Sequence, residues 1–184
     1  MNRKIAVKNL KNKNIVFIGF MGVGKGTIAR ALIQRTKQMG LDTDDLIESM
    51  ENRKIKDIFA SDGEAYFRRL EKQTAKWLEK SVKNAIISTG GGFFKVDNLE
   101  KIGTIIYLRS SFDGILKRLK AHENGDLKLA KRPLLQDEEK ARALFKERSC
   151  LYEKKADVIV DVEDRSIEEI IHAIMKRLNL KEKE

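Results

Sequence analysis

Gly19, Gly24 and Lys25 stand in the spacing G-x4-G-K within IGFMGVGKGTIAR, residues 18–30. Placed between a strand and a helix, such a loop cradles phosphate. Backbone N–H groups of the loop and of the helix N-terminus surround the anion, and glycines allow the close approach. Gly22, Val23 and Gly24 make the turn, and Lys25 brings a point charge to the transferring phosphate. The next residue departs from the pattern. Gly26 occupies the place of a Ser or Thr whose hydroxyl normally meets magnesium, and Thr27 follows it. The bland alternative is a glycine-rich turn carrying a surface lysine.

Two further segments could carry chemistry at strand ends. In LDTDD (41–45), Asp42 and Asp44 fall where ligands enter α/β proteins. One could bind magnesium, directly or through water, and the other could accept a hydroxyl proton. They could equally be a helix N-cap and first-turn acids. STGGG (88–92) puts Gly90, Gly91 and Gly92 after a strand, where three glycines imply a sharp bend or a close neighbour. A flexible turn is the other reading.

Three arginines need partners. Arg148 lies in the middle of an apolar helix face shared by Ala141, Leu144, Phe145 and Tyr152, so it needs an internal acid or an anionic ligand. Arg68 falls away from a stripe through Tyr66, Leu70, Trp77 and Leu78. It stands within reach of Glu64 and Glu71, and the pattern predicts a surface salt bridge. Arg132, followed by the only proline, sits in a long polar stretch, residues 122–137, of the kind that forms lids or disordered inserts.

The elements that must position these groups are legible. NIVFIG (14–19), NAIIST (84–89), TIIYLR (104–109) and DVIVDV (157–162) read as short, nearly all-apolar strands, with a weaker one ending at GLD (40–42). Helices fill the gaps: one over about 25–37, one opened at Ser61-x-x-Glu64 and running to about Lys80, and one over about 138–154. A last helix opens at Ser166-x-x-Glu169, with Ile167, Ile170, Ile171, Ile174 and Leu178 on one face. This alternation implies an α/β domain with a mostly parallel sheet and right-handed crossovers.

Composition bounds the rest. The 184 residues carry a net charge of +10. Nine of the 38 basic residues and none of the 28 acidic ones precede Asp42, so the excess sits in the N-terminal tail and around the glycine loop. That suits attraction of a polyanion such as a nucleotide, or simply a soluble tail. A single cysteine, Cys150, excludes an internal disulfide and fits a reducing compartment. No apolar run reaches the roughly 18–20 residues of a membrane span, and no signal peptide is read.

Taken in order, GFMGVGKGT, LDTDD, DIFASDGEAYFRRLE, STGGG, KRPLL and ERSCLYEKKAD resemble the motifs of the shikimate kinase family, from Asn14 to about Leu178. The resemblance implies a P-loop kinase with a five-stranded parallel sheet, helices on both faces and a mobile lid over about 122–137. Residues 14–180 would form one kinase domain after a basic extension, 1–13. It implies transfer of the γ-phosphate of ATP to the 3-hydroxyl of shikimate, giving shikimate 3-phosphate and ADP on the route to chorismate and the aromatic amino acids. Asp44 would orient or deprotonate that hydroxyl, with Lys25 and the lid's Arg132 at the phosphates. Arg68 and Arg148 would grip the shikimate carboxylate, against the salt-bridge reading of Arg68. Gly90, Gly91, Gly92, Phe59 and Phe67 would line the substrate, Gly91 in particular. The nucleotide would meet Gly22 to Thr27, Arg118, Arg132 and, by a looser match, Arg165. Magnesium would be held with Asp42 and Thr27, Asp42 acting through water, although Thr27's position more often faces the α-phosphate. A cytoplasmic monomer that binds neither nucleic acid nor membrane is expected.

Two other readings stay open. A nucleoside-monophosphate kinase also carries Lys-Gly-Thr, and a non-catalytic nucleotide- or nucleic-acid-binding protein would exploit the basic tail. A kinase for another sugar acid is a third.

Overall fold

The computed structural model describes residues 13–121, 135 and 137–182. The expected lid arginine Arg132, most of the expected lid and nearly all of the basic extension lie outside the described residues. Strands β1 (Asn14–Ile18), β2 (Gly40–Asp42), β3 (Ile86–Ser88), β4 (Gly103–Arg109) and β5 (Val158–Asp161) form one sheet in the order β2-β3-β1-β4-β5. Every pairing is parallel. β1 is buried along its whole length, as a central strand that is apolar after Asn14 and covered on both faces must be. The chain leaves β1 toward β2 on one side and β4 toward β5 on the other. The crevice between such diverging connections is the place where α/β sheets bind ligands.

Around the sheet lie α1 (Lys25–Thr36), α2 (Thr43–Glu51), α3 (Ile55–Ser81), α4 (Leu99–Ile102), α5 (Phe112–Lys120), α6 (Glu138–Lys155) and α7 (Ile167–Leu178). Their ends follow the chemistry of caps. Ser166 and Glu169 complete both halves of the capping box that opens α7. Asp137 caps α6 through the Lys140 N–H. The buried side chain of Asn14 closes the N-terminal edge of the sheet. It donates to the carbonyls of Val82 and Ile102 and accepts from the Ala85 N–H.

Three sequence expectations are corrected. Ser61 does not cap a helix: α3 begins at Ile55, and the Ser61 hydroxyl bonds back to the Asp57 carbonyl. The break falls at Gly63, whose φ of 77° only glycine adopts readily. The stripe read along α3 is also shifted. Phe67, Leu70, Glu71, Thr74, Ala75 and Leu78 are buried, while Trp77 is exposed. Ile167 is likewise exposed rather than part of the buried face of α7, and Met175 joins that face instead.

Candidate active site

A cavity of about 660 Å³ opens over the C-terminal ends of β1, β2 and β3. Its size suits a small ligand. The glycine loop forms its floor, with φ of 84° at Gly22 and 101° at Gly24. A Cβ on Gly22 would lie 2.8 Å from the Leu119 side chain, so only glycine lets the loop pack on α5. Lys25 is buried, and its Nζ donates to the carbonyls of Gly19 (2.8 Å) and Phe20 (3.1 Å). Gly26 and Thr27 open α1 beside it and line the same cavity.

Arg118 and Arg165 stand on the far wall, joined by Ile167. Arg118 donates from Nη1 to the Val23 carbonyl (3.0 Å) and from Nη2 to the Val162 carbonyl. It therefore straps the segment after β5 to the glycine loop. Val23 contributes that carbonyl while its side chain fills the core.

Asp42 and Asp44 close the other end. Asp42 is the N-cap of α2, accepting from the Asp44 N–H at 2.9 Å, so the helix-cap reading holds for it. Asp44 points inward, and its Oδ1 is buried without a hydrogen-bond partner. Burial, reinforced by the charge of Asp42 and opposed by Lys25, pushes its carboxyl up to about 7. The triglycine runs past it. Thr89 Oγ1 donates to the Phe17 carbonyl, and the Gly90 N–H donates to Thr43 Oγ1, which fix the bend after β3. A Cβ on Gly90 would lie 2.5 Å from Asp44 Oδ1. Gly90→Ala is thus expected to displace Asp44 and lower turnover about tenfold or more, with an unchanged far-UV spectrum. Wild-type turnover in that variant would show the contact is relieved harmlessly.

Gly92 and Gly91 meet the two arginines. A Cβ on Gly92 would collide with Arg68 Nη1 at 2.2 Å. Arg68 pairs with Glu64 (2.7 Å) and with buried Glu71 (2.6 Å), so the predicted ion pairs form, but on a partly buried residue against the triglycine. Arg148 is buried. Its Nη1 donates to the Gly91 carbonyl at 3.2 Å, and its Nε has no hydrogen-bond partner. Among the described residues its hydrogen bond runs to a neutral carbonyl rather than to an internal acid. The phenol of Tyr152 donates to the same carbonyl at 2.6 Å. Phe67 is buried beside Phe59, ring centroids 4.8 Å apart, and the Arg68 guanidinium lies over the Phe67 ring. Phe59, Phe67, Arg68 and Arg148 gather beyond the Asp44 end of the cavity, outside its lining.

The sequence names Glu71 only as a surface partner of Arg68; its burial escapes that reading because a charged residue at a buried helix position breaks the apolar stripe that periodicity follows. Its carboxyl is raised by burial and lowered by Arg68, with Arg148 close enough to contribute. Ser88 and Tyr152 also join the site without any sequence signal beyond their neighbours.

The arrangement joins a phosphate cradle to a pocket with one acid and two guanidinium groups. A profile of the family described as shikimate kinase matches residues 21–179. A shikimate kinase from Helicobacter hepaticus (strain ATCC 51449 / 3B1) is 42% identical over 156 residues, 85% of this chain and 90% of that protein. The chain belongs to the shikimate kinase family.

The solved shikimate kinase from Acinetobacter baumannii in complex with shikimate superposes with a TM-score of 0.78 at 29% identity. The match covers 91% of this chain and 93% of that one. A gluconokinase from Sinorhizobium meliloti 1021 shares the fold alone, at 12% identity and a TM-score of 0.51. The family is an ATP-using kinase family, and magnesium is the metal expected from the sequence. Among the described residues no three His, Cys, Asp or Glu side chains cluster to hold a metal by themselves. Asp42, Ser88 and Thr27 nevertheless line the same cavity as Lys25 and present hard oxygen atoms. That set suits an ion that keeps several waters and leans on nucleotide phosphates. No helix among the described residues is long and apolar enough to cross a membrane.

Proposed function

We propose that this shikimate kinase family member transfers the γ-phosphoryl group of ATP to the 3-hydroxyl of shikimate, releasing shikimate 3-phosphate and ADP. The observation that carries the reading is that Asp44 and Arg148 both abut the triglycine, Asp44 beside Gly90 and Arg148 beside Gly91. A buried acid with an unpartnered oxygen and a buried guanidinium with an unpartnered N–H suit a hydroxyl and a carboxylate on one small molecule.

Asp44 holds or deprotonates the acceptor hydroxyl, and Arg68 and Arg148 fix the carboxylate, so the acceptor lies in line with the nucleotide. Phe59 and Phe67 pack on the ring, and Gly90, Gly91 and Gly92 let it approach the backbone. Lys25 and the amides of Gly22 to Thr27 bind the phosphates. Arg118 and Arg165 border the adenine side, and Arg132, which lies outside the described residues, adds positive charge at the phosphates. Magnesium, when bound with the nucleotide, neutralises phosphate charge, with Asp42 and Thr27 as nearby oxygens. Residues 14–180 act as one domain, as a monomer in the cytoplasm, and neither nucleic acid nor membrane takes part.

A coupled ADP-release assay across shikimate, quinate, gluconate and AMP tests this. Shikimate should give the highest kcat/KM. Release with AMP would indicate a monophosphate kinase, and release with gluconate a sugar-acid kinase of the shared fold. ATP binding without ADP release on any acceptor would indicate a non-catalytic nucleotide binder.

A further inference from the structure

Gly26 removes the hydroxyl that the phosphate loop normally offers to magnesium, and nothing local requires glycine there. It sits in the first turn of α1, outside the positive-φ residues of the loop. An added Cβ would meet only Arg30 Nη1 at 3.4 Å, the end of a flexible side chain, and Ser88 Oγ at 3.8 Å. The space beside Gly26 is therefore already faced by a hydroxyl from the end of β3.

That hydroxyl is well placed. Ser88 is the last residue of β3, buried, and it lines the cavity with Gly26 and Asp42. Asp42 is its direct partner across the parallel β2–β3 pair. Paired residues on adjacent parallel strands put their side chains on the same face. One Asp42 oxygen is committed to the Asp44 N–H, which leaves the other for a cation or its water. A neutral hydroxyl beside a carboxylate is the hard-oxygen set that magnesium takes. Thr27 is the competing donor, but it projects about 100° further round α1 than residue 26.

Resting on the kinase reading above, we propose that the Ser88 hydroxyl takes over the magnesium contact missing at Gly26 and forms, with Asp42, the protein side of the metal's shell. Phosphate-loop hydroxyl and strand-end hydroxyl are then alternatives, and one suffices.

The test is ADP affinity by calorimetry in excess magnesium and in EDTA. The ratio of the two affinities isolates the metal's contribution without turnover. Ser88→Ala should lower that ratio by about tenfold, with affinity in EDTA unchanged, since removing a metal-shell partner typically costs 10- to 100-fold. Ser88→Thr should keep the ratio, and Gly26→Ser added to Ser88→Ala should restore it. Free Mn2+ measured by electron paramagnetic resonance in the ADP complex should rise in Ser88→Ala and fall again in the double variant. If Ser88→Ala does not fold, Ser88→Cys serves: a thiol should weaken the magnesium ratio and strengthen the cadmium one. An unchanged ratio in Ser88→Ala or Ser88→Cys, or a ratio lost in Thr27→Val alone, overturns the assignment while leaving the nucleotide site intact. Failure of the wild-type chain to bind ADP in either buffer would overturn the nucleotide reading and this proposal together.

Discussion

Arg148→Ala is expected to reduce kcat/KM for shikimate by about 10²- to 10³-fold, while the affinity for ADP changes less than threefold. Removing one partner from a buried, hydrogen-bonded charge pair costs about 2–5 kcal/mol, and each 1.4 kcal/mol is tenfold. Arg148 qualifies because it is only 6% exposed, lies outside the lining of the nucleotide cavity, and holds a buried N–H with no partner. A substrate carboxylate would supply that partner. The loss should appear mainly in KM for shikimate, as befits a group that binds the acceptor in both ground and transition states. Arg148→Lys should recover only part of it, since an ammonium cannot reproduce the planar fork. Matching losses for shikimate and ADP would mean that the residue supports the fold as a whole.

Asp44→Asn is expected to lower turnover by about 10²- to 10⁴-fold, the usual range for a positioned acid or base, with KM for ATP little changed. The wild-type kcat/KM should rise with pH through about 7, where the Asp44 carboxyl ionises. The same shift has a stability consequence of opposite sign. A carboxyl raised from 3.8 to about 7 makes the folded chain hold its proton more tightly than the unfolded chain. Between those values stability falls as pH rises, because ionising Asp44 in the fold is opposed by burial and by Asp42. Asp44→Asn removes that charge. It should therefore raise the melting temperature by several degrees more at pH 8 than at pH 5, at roughly 2–4 °C per kcal/mol for a chain of this size. Equal effects at both pH values would show that Asp44 titrates like an exposed carboxyl.

Charge and periodicity serve these residues unequally. Lys25, Asp44 and the triglycine are legible because each follows a strand, at the edge where parallel sheets place their sites. Arg148 is legible for the opposite reason, as a cation interrupting an apolar helix face. Arg68 makes the ion pairs with Glu64 and Glu71 that the spacing predicts, yet Glu71 is buried and Gly92 yields Arg68 space. Spacing on one helix finds a neighbour but not the depth at which that neighbour lies. Trp77 and Glu71 exchanged places for the same reason, because the buried face of α3 is set by what packs on it. Of the two capping boxes written in the sequence, the one at Ser166 forms. The one at Ser61 does not, because α3 starts earlier at Ile55 and Gly63 supplies the break.

The sequence by itself determined the strands, the glycine loop, the helix behind it and the order of motifs along a doubly covered sheet. Those are local matters of apolar runs, turn residues and caps, each readable within a dozen residues. The hydroxyl missing at Gly26 is legible there too, but only the tertiary structure decided what faces the gap. Ser88 lies 62 positions further along the chain. It meets that gap because β3 pairs between β2 and β1, which puts its last hydroxyl beside Asp42 and over the start of α1. Contacts made by strand pairing rather than by spacing leave no periodic trace, so the metal's surroundings were the part of the site that the sequence could name least well.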